Sequence, residues 1–385
     1  MLQIPFQRPV LTQAQAHTAL DAAVRQVRTN LPVFAGRFQD HSSRRGTYRS
    51  CGNTHWTSGF WPGQLWLCYQ YTGESIFRQT GLSLASSMHR RVLTGRCLDH
   101  HDLGFLYTPS CVACWELTKT PAARQAALLA ANRLMLRFRP KGEFFQAWGP
   151  VGAPGCNRFI IDSLMNLPLL HWASRQTGKS LYANAAVKHS NTCYSYILRP
   201  DGSTFHTFFM QRNGRPKGGR TCQGYSDSSF WARGQAWAIY GSLLDYRETG
   251  NQRALDVFWQ ALRFYLNHLP ADLVPYWDLI FGPESSQPRD SSAAAIVSCA
   301  LLQAASVLDL PSLAILARQI LYNLCLNYAP ARQTPGGGLL LHGTYSKKSR
   351  YNTCLPMGID EFTTWGDYFY LEALSLLVHG NGGFW

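Results

Sequence analysis

The residues best placed to do chemistry in this chain are a few acids set where charge is expensive. Asp162 follows Phe159-Ile160-Ile161 and precedes Ser163-Leu164-Met165-Asn166-Leu167, the apolar start of a helix. A carboxylate buried there without a partner is costly, and burial beside a like charge raises its pKa toward that of a useful general acid. The same position also suits a helix N-cap, whose carboxylate binds backbone N–H groups. Asp102, between His100-His101 and Leu103-Gly104-Phe105, carries the same two readings. The paired histidines diverge by about 100° on a helix, and no second His or carboxylate follows at i+3 or i+4, so no metal site is read there. Arg233 and Trp237 are four residues apart and share a helix face. An Arg on so apolar a helix needs a carboxylate, from a ligand or from a structural Asp. A guanidinium gripping a carboxylate bidentately beside a stacking Trp would make a subsite for a sugar acid. Asp227 and Asp290 read as helix caps. Cys111 and Cys114 form a lone CxxC without a second pair and read as small buried residues.

These groups need a scaffold, and the periodicity supplies one. Amphipathic helices are predicted over Thr12–Thr29, Gln79–Leu93, Pro121–Phe138, Leu181–Leu198, Gln252–His268 and Ser312–Tyr328. Between them lie segments apolar nearly all round: Trp56–Tyr71, His101–Leu117, Ile160–Gln176, Asp227–Glu248, Asp290–Leu308 and Thr363–Val378. Little strand alternation is evident. Three apolar helices end in Thr72-Gly73, Thr177-Gly178 and Thr249-Gly250, where Gly suits the left-handed position that closes a helix. A helix apolar on every side must be surrounded. Six such helices, each paired with an amphipathic one, predict an all-α (α/α)6 barrel, here one domain spanning residues 1–385. An open α-solenoid would need polar caps at both ends, and the chain ends on an inner-type helix. In the closed ring the inner helices run parallel, so Trp56, His101, Asp102, Asp162, Asp227 and Asp290 gather at one mouth. The positive helix ends there favour an anionic ligand.

Composition agrees and narrows the classes. The 385 residues carry a net charge of +14, with 12 Trp and 11 Cys. An acidic partner is expected. The basic residues are dispersed and no nucleic-acid motif occurs, which argues against nucleic acid as that partner. No apolar run long enough for a membrane span is found, and the N-terminus lacks the pattern of a secretory leader. With scattered, odd-numbered cysteines this points to the cytoplasm.

Trp56-Thr57-Ser58-Gly59-Phe60-Trp61, His101-Asp102-Leu103-Gly104-Phe105, Ile161-Asp162-Ser163-Leu164-Met165-Asn166, Tyr225–Trp237, Val274-Pro275-Tyr276-Trp277-Asp278, Pro288–Ala295 and Trp365-Gly366-Asp367-Tyr368 stand in this order. In these motifs the sequence resembles the unsaturated glucuronyl hydrolases of glycoside hydrolase family 88, from about Trp56 to Leu374. The resemblance implies an (α/α)6 barrel, with Asp162 as catalytic acid/base and Asp102 as the second essential carboxylate. It places Trp56, Trp148, His206, Gly219, Thr221, Gln223, Arg233 and Trp237 around the substrate. The implied reaction is hydration of the C4=C5 double bond of an unsaturated uronic acid, releasing it from lyase-generated disaccharides of glycosaminoglycan type. No metal or organic cofactor is implied, and the enzyme would be a monomer or homodimer.

The chain departs from that pattern near its end, where Thr363-Thr364-Trp365 precedes Gly366-Asp367-Tyr368 and Ser346-Lys347-Lys348-Ser349-Arg350 is unusually basic. Some relatives that accept sulfated substrates use serines and a basic residue in this loop, so it is expected to overhang the mouth and favour sulfated disaccharides. The competing readings are an unsaturated rhamnogalacturonyl hydrolase acting on pectin fragments, an inverting (α/α)6 glycosidase and a basic helical scaffold for polyanions.

Overall fold

A computed structural model describes residues 8–380 and 383–385. The first seven residues, part of the segment read as lacking a leader, and the pair 381–382 lie outside the described residues. The chain alternates outer and inner helices from α1 (Gln13–Asn30) through α2 (Phe60–Thr72) to α3 (Ser75–Thr94). The next inner rod is α4 (Leu103–Tyr107), a π-helical turn (Thr108–Val112) and α5 (Ala113–Thr118), followed by outer α6 (Pro121–Met135). A 3-10 turn (Ile161–Asn166) leads into inner α7 (Leu167–Thr177), and outer α8 (Leu181–Tyr196) returns. Inner α9 (Ala232–Thr249) and outer α10 (Gln252–Asn267) follow, then inner α11 (Ser291–Val307), outer α12 (Pro311–Asn323) and inner α13 (Thr364–His379).

The sorting into two rings follows from residue pattern. Helix α10 buries Ala254, Val257, Phe258, Ala261, Leu262 and Tyr265, a single stripe at helical spacing. Helix α11 buries Ser291 through Leu301 without a break, so it must have neighbours on all sides. It lies between α9 and α13, and α13 in turn packs on α2, which closes the inner ring; α1 covers that seam. The (α/α)6 barrel expected from the sequence is the fold. Gly73, Gly178 and Gly250 close their helices at φ 70°, 71° and 68°, the left-handed geometry their Thr-Gly phrases predicted.

Several helix starts differ from the predicted ones, and prolines explain two. Pro109 cannot donate a backbone hydrogen bond, and the second inner rod widens into its π turn there. Pro168 occupies the first turn of α7, so the α-helix begins at Leu167 and the six residues before it form the tighter 3-10 turn. Inner helices expected from Trp56 and Asp227 begin at Phe60 and Ala232. Strands that the sequence did not signal connect the helices: β1 (Phe38–Gln39) with β2 (Ser50–Cys51), β3 (Phe138–Arg139) with β4 (Phe144–Phe145), and a sheet of β5 (Arg158–Ile160), β6 (Thr207–Met210) and β7 (Pro216–Arg220). They are two to five residues long, too short for alternation to show. Among the described residues no helix is long and apolar enough to cross a membrane.

The start of α13 is fixed by buried Asp367. One of its oxygens accepts from the N–H groups of Leu339 (2.8 Å) and Leu340 (3.0 Å), and the other from the Tyr48 hydroxyl (2.9 Å). Burial pushes its pKa from 3.8 up to about 7, the hydrogen bonds offsetting only part of the rise. Between those values the native protein holds a proton that the unfolded chain has released. Stability is therefore greatest below the window and falls as pH rises through it. Asp367→Asn keeps an acceptor for both N–H groups but does not titrate. The melting temperature of the wild type should fall more steeply than that of the variant between about pH 4 and pH 7. Parallel profiles would show that Asp367 is not the titrating group.

Candidate active site

The two singled-out carboxylates are brought together by a contact between backbones. A Cβ on Gly104 would sit 2.4 Å from Asn166 Cα, so only glycine lets α4 approach the 3-10 turn this closely. Asn166 then clasps both segments, accepting from the N–H of Phe105 (3.0 Å) and donating to the carbonyl of Asp162 (3.2 Å). As a result the side-chain donor atoms of His101, Asp102 and Asp162 lie within 4.8 Å of one another. Neither aspartate caps its helix through its side chain. These three groups could hold a cation; the third ligand comes from another helix, which spacing along one helix does not reveal.

The environment sets the two acids apart. Asp102 Oδ1 lies 3.3 Å from His101 Nε2, and its Oδ2 lies 3.1 Å from His100 Nδ1. Burial acts to raise the Asp102 pKa, but His101, His100 and Arg137 together hold it below the ordinary value. His101 is fully buried, and desolvation pushes its pKa down to about 4. Asp162 moves the other way: burial and then the neighbouring Asp102 charge drive it well above the usual carboxylate range, against the weaker pull of Arg233. Its Oδ1 is buried and has no hydrogen-bond partner among the described residues. The surroundings thus push the two acids apart, Asp102 toward its ionised form and Asp162 toward its protonated one.

Arg233 is 1% exposed and already engaged. Its Nη1 donates to Asp290 Oδ2 (2.5 Å) and the Thr344 carbonyl (2.7 Å), and its Nη2 to the Tyr345 carbonyl (2.6 Å). Of the two partners the sequence left open, a ligand or a structural Asp, the structure supplies Asp290. Asp290 is therefore an ion-pair partner, not the helix cap read from the sequence; its Oδ1 also accepts from Ser292 (2.5 Å). Asp227 is no helix cap either, since it accepts from the Thr221 N–H (2.8 Å) within the loop. Trp237 is 1% exposed, its ring 5.0 Å from Phe105 and 5.4 Å from Phe369. Those surroundings make it a core ring, not the open stacking surface expected of it.

The remaining positions lie on the loops around the mouth. Trp56 is half-buried, stacked on Trp365 at 5.3 Å, and donates from Nε1 to the Tyr345 hydroxyl (2.9 Å). His206 is set beside the acid pair because its carbonyl accepts from the N–H of Ile161 (3.1 Å). Its Nδ1 accepts from the N–H groups of Cys222 and Gln223, both 3.0 Å away, so its proton sits on Nε2. That Nε2 is buried without a partner among the described residues, and desolvation, helped by Arg233 and Arg158, keeps the ring neutral. Trp148 lies beneath the Arg158 guanidinium at 4.6 Å and edge-on to His206 at 6.4 Å. Gly219 sits in β7, where a Cβ would strike the Phe205 ring at 2.2 Å. Thr221 accepts from the Gly224 N–H (2.7 Å), and Gln223 donates to the Tyr345 carbonyl (3.2 Å). The basic loop begins at this wall, but its hydroxyls are spent: Ser346 donates to the Leu355 carbonyl and Ser349 to that of Tyr225, both at 2.6 Å. Cys111 and Cys114 are buried free thiols, consistent with small buried residues on an inner helix.

With that geometry in place, the sequence profile described as Glycosyl Hydrolase Family 88 matches residues 33–305. The chain belongs to glycosyl hydrolase family 88. It is 42% identical over 381 residues to an unsaturated chondroitin disaccharide hydrolase of Streptococcus pyogenes serotype M1, covering 97% of this chain and 94% of the relative. The unsaturated glucuronyl hydrolase of Bacillus sp. strain GL1 is 41% identical, with 92% and 95% covered. Crystal structures of unsaturated glucuronyl hydrolases from Streptococcus agalactiae and Bacillus sp. GL1 superpose with TM-scores of 0.94 and 0.92 at 38% and 40% identity. They cover 99% and 96% of this chain, and 96% and 98% of their own. This family 88 chain is a glycoside hydrolase.

Sequence reasoning missed Tyr345, Trp365 and Arg158. Tyr345 joins Trp56, Gln223 and Arg233 at the wall, yet it comes from a loop far along the chain with no spacing signal. Trp365 was visible in its Trp-Gly-Asp-Tyr motif but not as the ring under Trp56. Arg158 could have been noticed as the cation immediately before an apolar run. Since everything hangs on the Gly104 contact, Gly104→Ala should separate the two acids. Overpacking of this kind costs about 1–3 kcal/mol. A lowered melting temperature is expected, with turnover reduced beyond what the folded fraction explains; an unchanged melting temperature and rate would refute the constraint.

Proposed function

We propose that this protein, as a single barrel domain, removes the 4,5-unsaturated uronic acid from small glycosaminoglycan-type oligosaccharides. The supporting observation is Asp162: a carboxyl pushed toward its protonated form by burial and by Asp102, with a buried oxygen that no described residue bonds and an oxygen within 4.8 Å of one on Asp102. An inverting glycosidase separates its carboxyls by about 6.5–9.5 Å to admit water, and this pair is closer. Asp162 gives its proton to C4 of the C4=C5 double bond, leaving oxocarbenium character on C5 and the ring oxygen. The Asp162 carboxylate then takes a proton from water as the oxygen adds to C5. The hemiketal opens, releasing the neighbouring sugar, and Asp162 is again protonated. Burial and then the Asp102 charge keep the Asp162 pKa high. His206 offers its Nε2–H to the substrate, and Trp56 and Trp148 provide flat faces for its rings. Arg233, paired with Asp290, supplies positive potential beside the uronate instead of a direct grip. The dispersed positive charge suits such acidic substrates, and relatives named for chondroitin disaccharide and glucuronyl hydrolysis support this substrate class.

Asp162→Asn should retain the fold and bind substrate but lose turnover, because an amide cannot cycle the proton. Removing a general acid/base costs about 10²–10⁴-fold. The measurement is the decay of the double-bond absorbance of unsaturated disaccharides, and more than roughly a tenth of the wild-type rate in the variant would defeat the assignment. In the wild type kcat/KM should fall as pH rises through the elevated Asp162 pKa.

We also propose that the loop Ser346–Arg350 favours sulfated disaccharides through its cations, its hydroxyls being committed to holding the loop. A Streptococcus agalactiae relative has been crystallised with dGlcA-GalNAc6S. A sulfate held by Lys347, Lys348 and Arg350, of which the last two are exposed, should lose its advantage with salt, since the Debye length is about 8 Å at physiological ionic strength. The ratio of kcat/KM for sulfated over unsulfated chondroitin disaccharide should drop in the Lys347/Lys348/Arg350 triple-Ala variant at low salt. An unchanged ratio at both low and high salt would rule the loop out.

A further inference from the structure

At the rim of the mouth stands a second group of ligating side chains that the hydration chemistry does not use. Asp40 follows β1, Cys51 ends β2, and His55 comes one residue before Trp56. An Asp40 oxygen, the Cys51 sulfur and a His55 nitrogen lie within 4.8 Å of one another, and all three residues are half-buried. Asp40 Oδ1 is 3.8 Å from His55 Nε2 and 3.5 Å from the Nε2 of His41. Zinc bonds of about 2.0–2.3 Å in a tetrahedron place neighbouring ligand atoms roughly 3.3–3.8 Å apart. Both of these separations fall in that range, and those from the Cys51 sulfur to Asp40 and His55, within 4.8 Å, need a contraction of about an ångström at most. Thiolate, imidazole and carboxylate together suit zinc and its neighbours, and not calcium or magnesium.

We propose that Asp40, Cys51 and His55 form a binding site for a divalent cation of the zinc class, with water or His41 as the fourth ligand. Binding releases the Cys51 thiol proton to solvent, and the metal–sulfur bond takes its place. The ion would tie the β1–β2 hairpin to the loop that carries Trp56. That loop is already anchored on its far side by buried Arg91, which donates to the carbonyls of His55 (2.9 Å) and Thr54 (3.3 Å). The site therefore sits where occupancy stiffens one wall of the mouth.

Cobalt(II) titrated into the full-length protein after chelator treatment tests this. A sulfur-to-cobalt charge-transfer band with intense tetrahedral d–d bands is expected, and zinc should displace both. The His101, Asp102 and Asp162 group contains no sulfur and cannot produce the charge-transfer band. Cys51→Ser should abolish that band, and Asp40→Asn and His55→Gln should each weaken binding tenfold or more. His55 is 38% exposed, so His55→Gln remains decisive should Cys51→Ser fail to fold. No thiolate band in the wild type, a band that survives Cys51→Ser, or an affinity unchanged in His55→Gln would overturn the proposal.

Discussion

The approach of Gly104 to Asn166 is the constraint on which the acid pair depends. Without a side chain at 104 two backbones meet, and Asn166 can bond to both. The contact carries a chemical consequence, because it sets how strongly the Asp102 charge bears on Asp162. A wider gap would remove the Asp102 contribution and leave burial alone to raise Asp162. From this point the mouth is linked around the ring. Phe105 packs on Trp56, Trp56 on Trp365, and Trp365 donates to Ser292, which is bound to Asp290 and so to Arg233. Adjacent inner helices are thereby held in register at the end where the chemistry would occur.

The Arg233–Asp290 pair is the most deeply buried ion pair of this linkage, its partners 1% and 0% exposed. Such a pair repays its desolvation only when other polar groups satisfy it, and here two carbonyls and a serine hydroxyl do so. It spans α9, α11 and the loop carrying Tyr345, so the wall of the mouth is fixed before any ligand arrives. The guanidinium still influences its surroundings, since it opposes the rise at Asp162 and helps keep His206 neutral. Preorganisation and field come from the same side chain.

Individual residues show how far local pattern reaches. Asp162 stood out because three apolar residues precede it, a signal of burial readable from neighbours alone. Asp290 and Asp227 stand at predicted helix starts without that apolar approach and read as caps, yet one meets an arginine from another helix and the other a loop N–H. His100 and His101 were judged against their own helix, whereas the third ligating group comes from a turn some 60 residues on. Tyr345 had no local mark at all.

The sequence by itself determined the barrel. Alternating amphipathic and wholly apolar helices admit few arrangements that bury every apolar face, and Thr-Gly phrases mark the turns where φ must be positive. Motif order was likewise enough to point to the family. Tertiary structure alone decided which polar atoms are spent and which remain free. Arg233 proved committed, the serines of the basic loop proved committed, and His206 Nε2 and Asp162 Oδ1 were left open. The physical reason is reach. Periodicity records which face of an element is buried, but a hydrogen bond or a pKa depends on atoms within a few ångströms, and those come from segments distant in the chain.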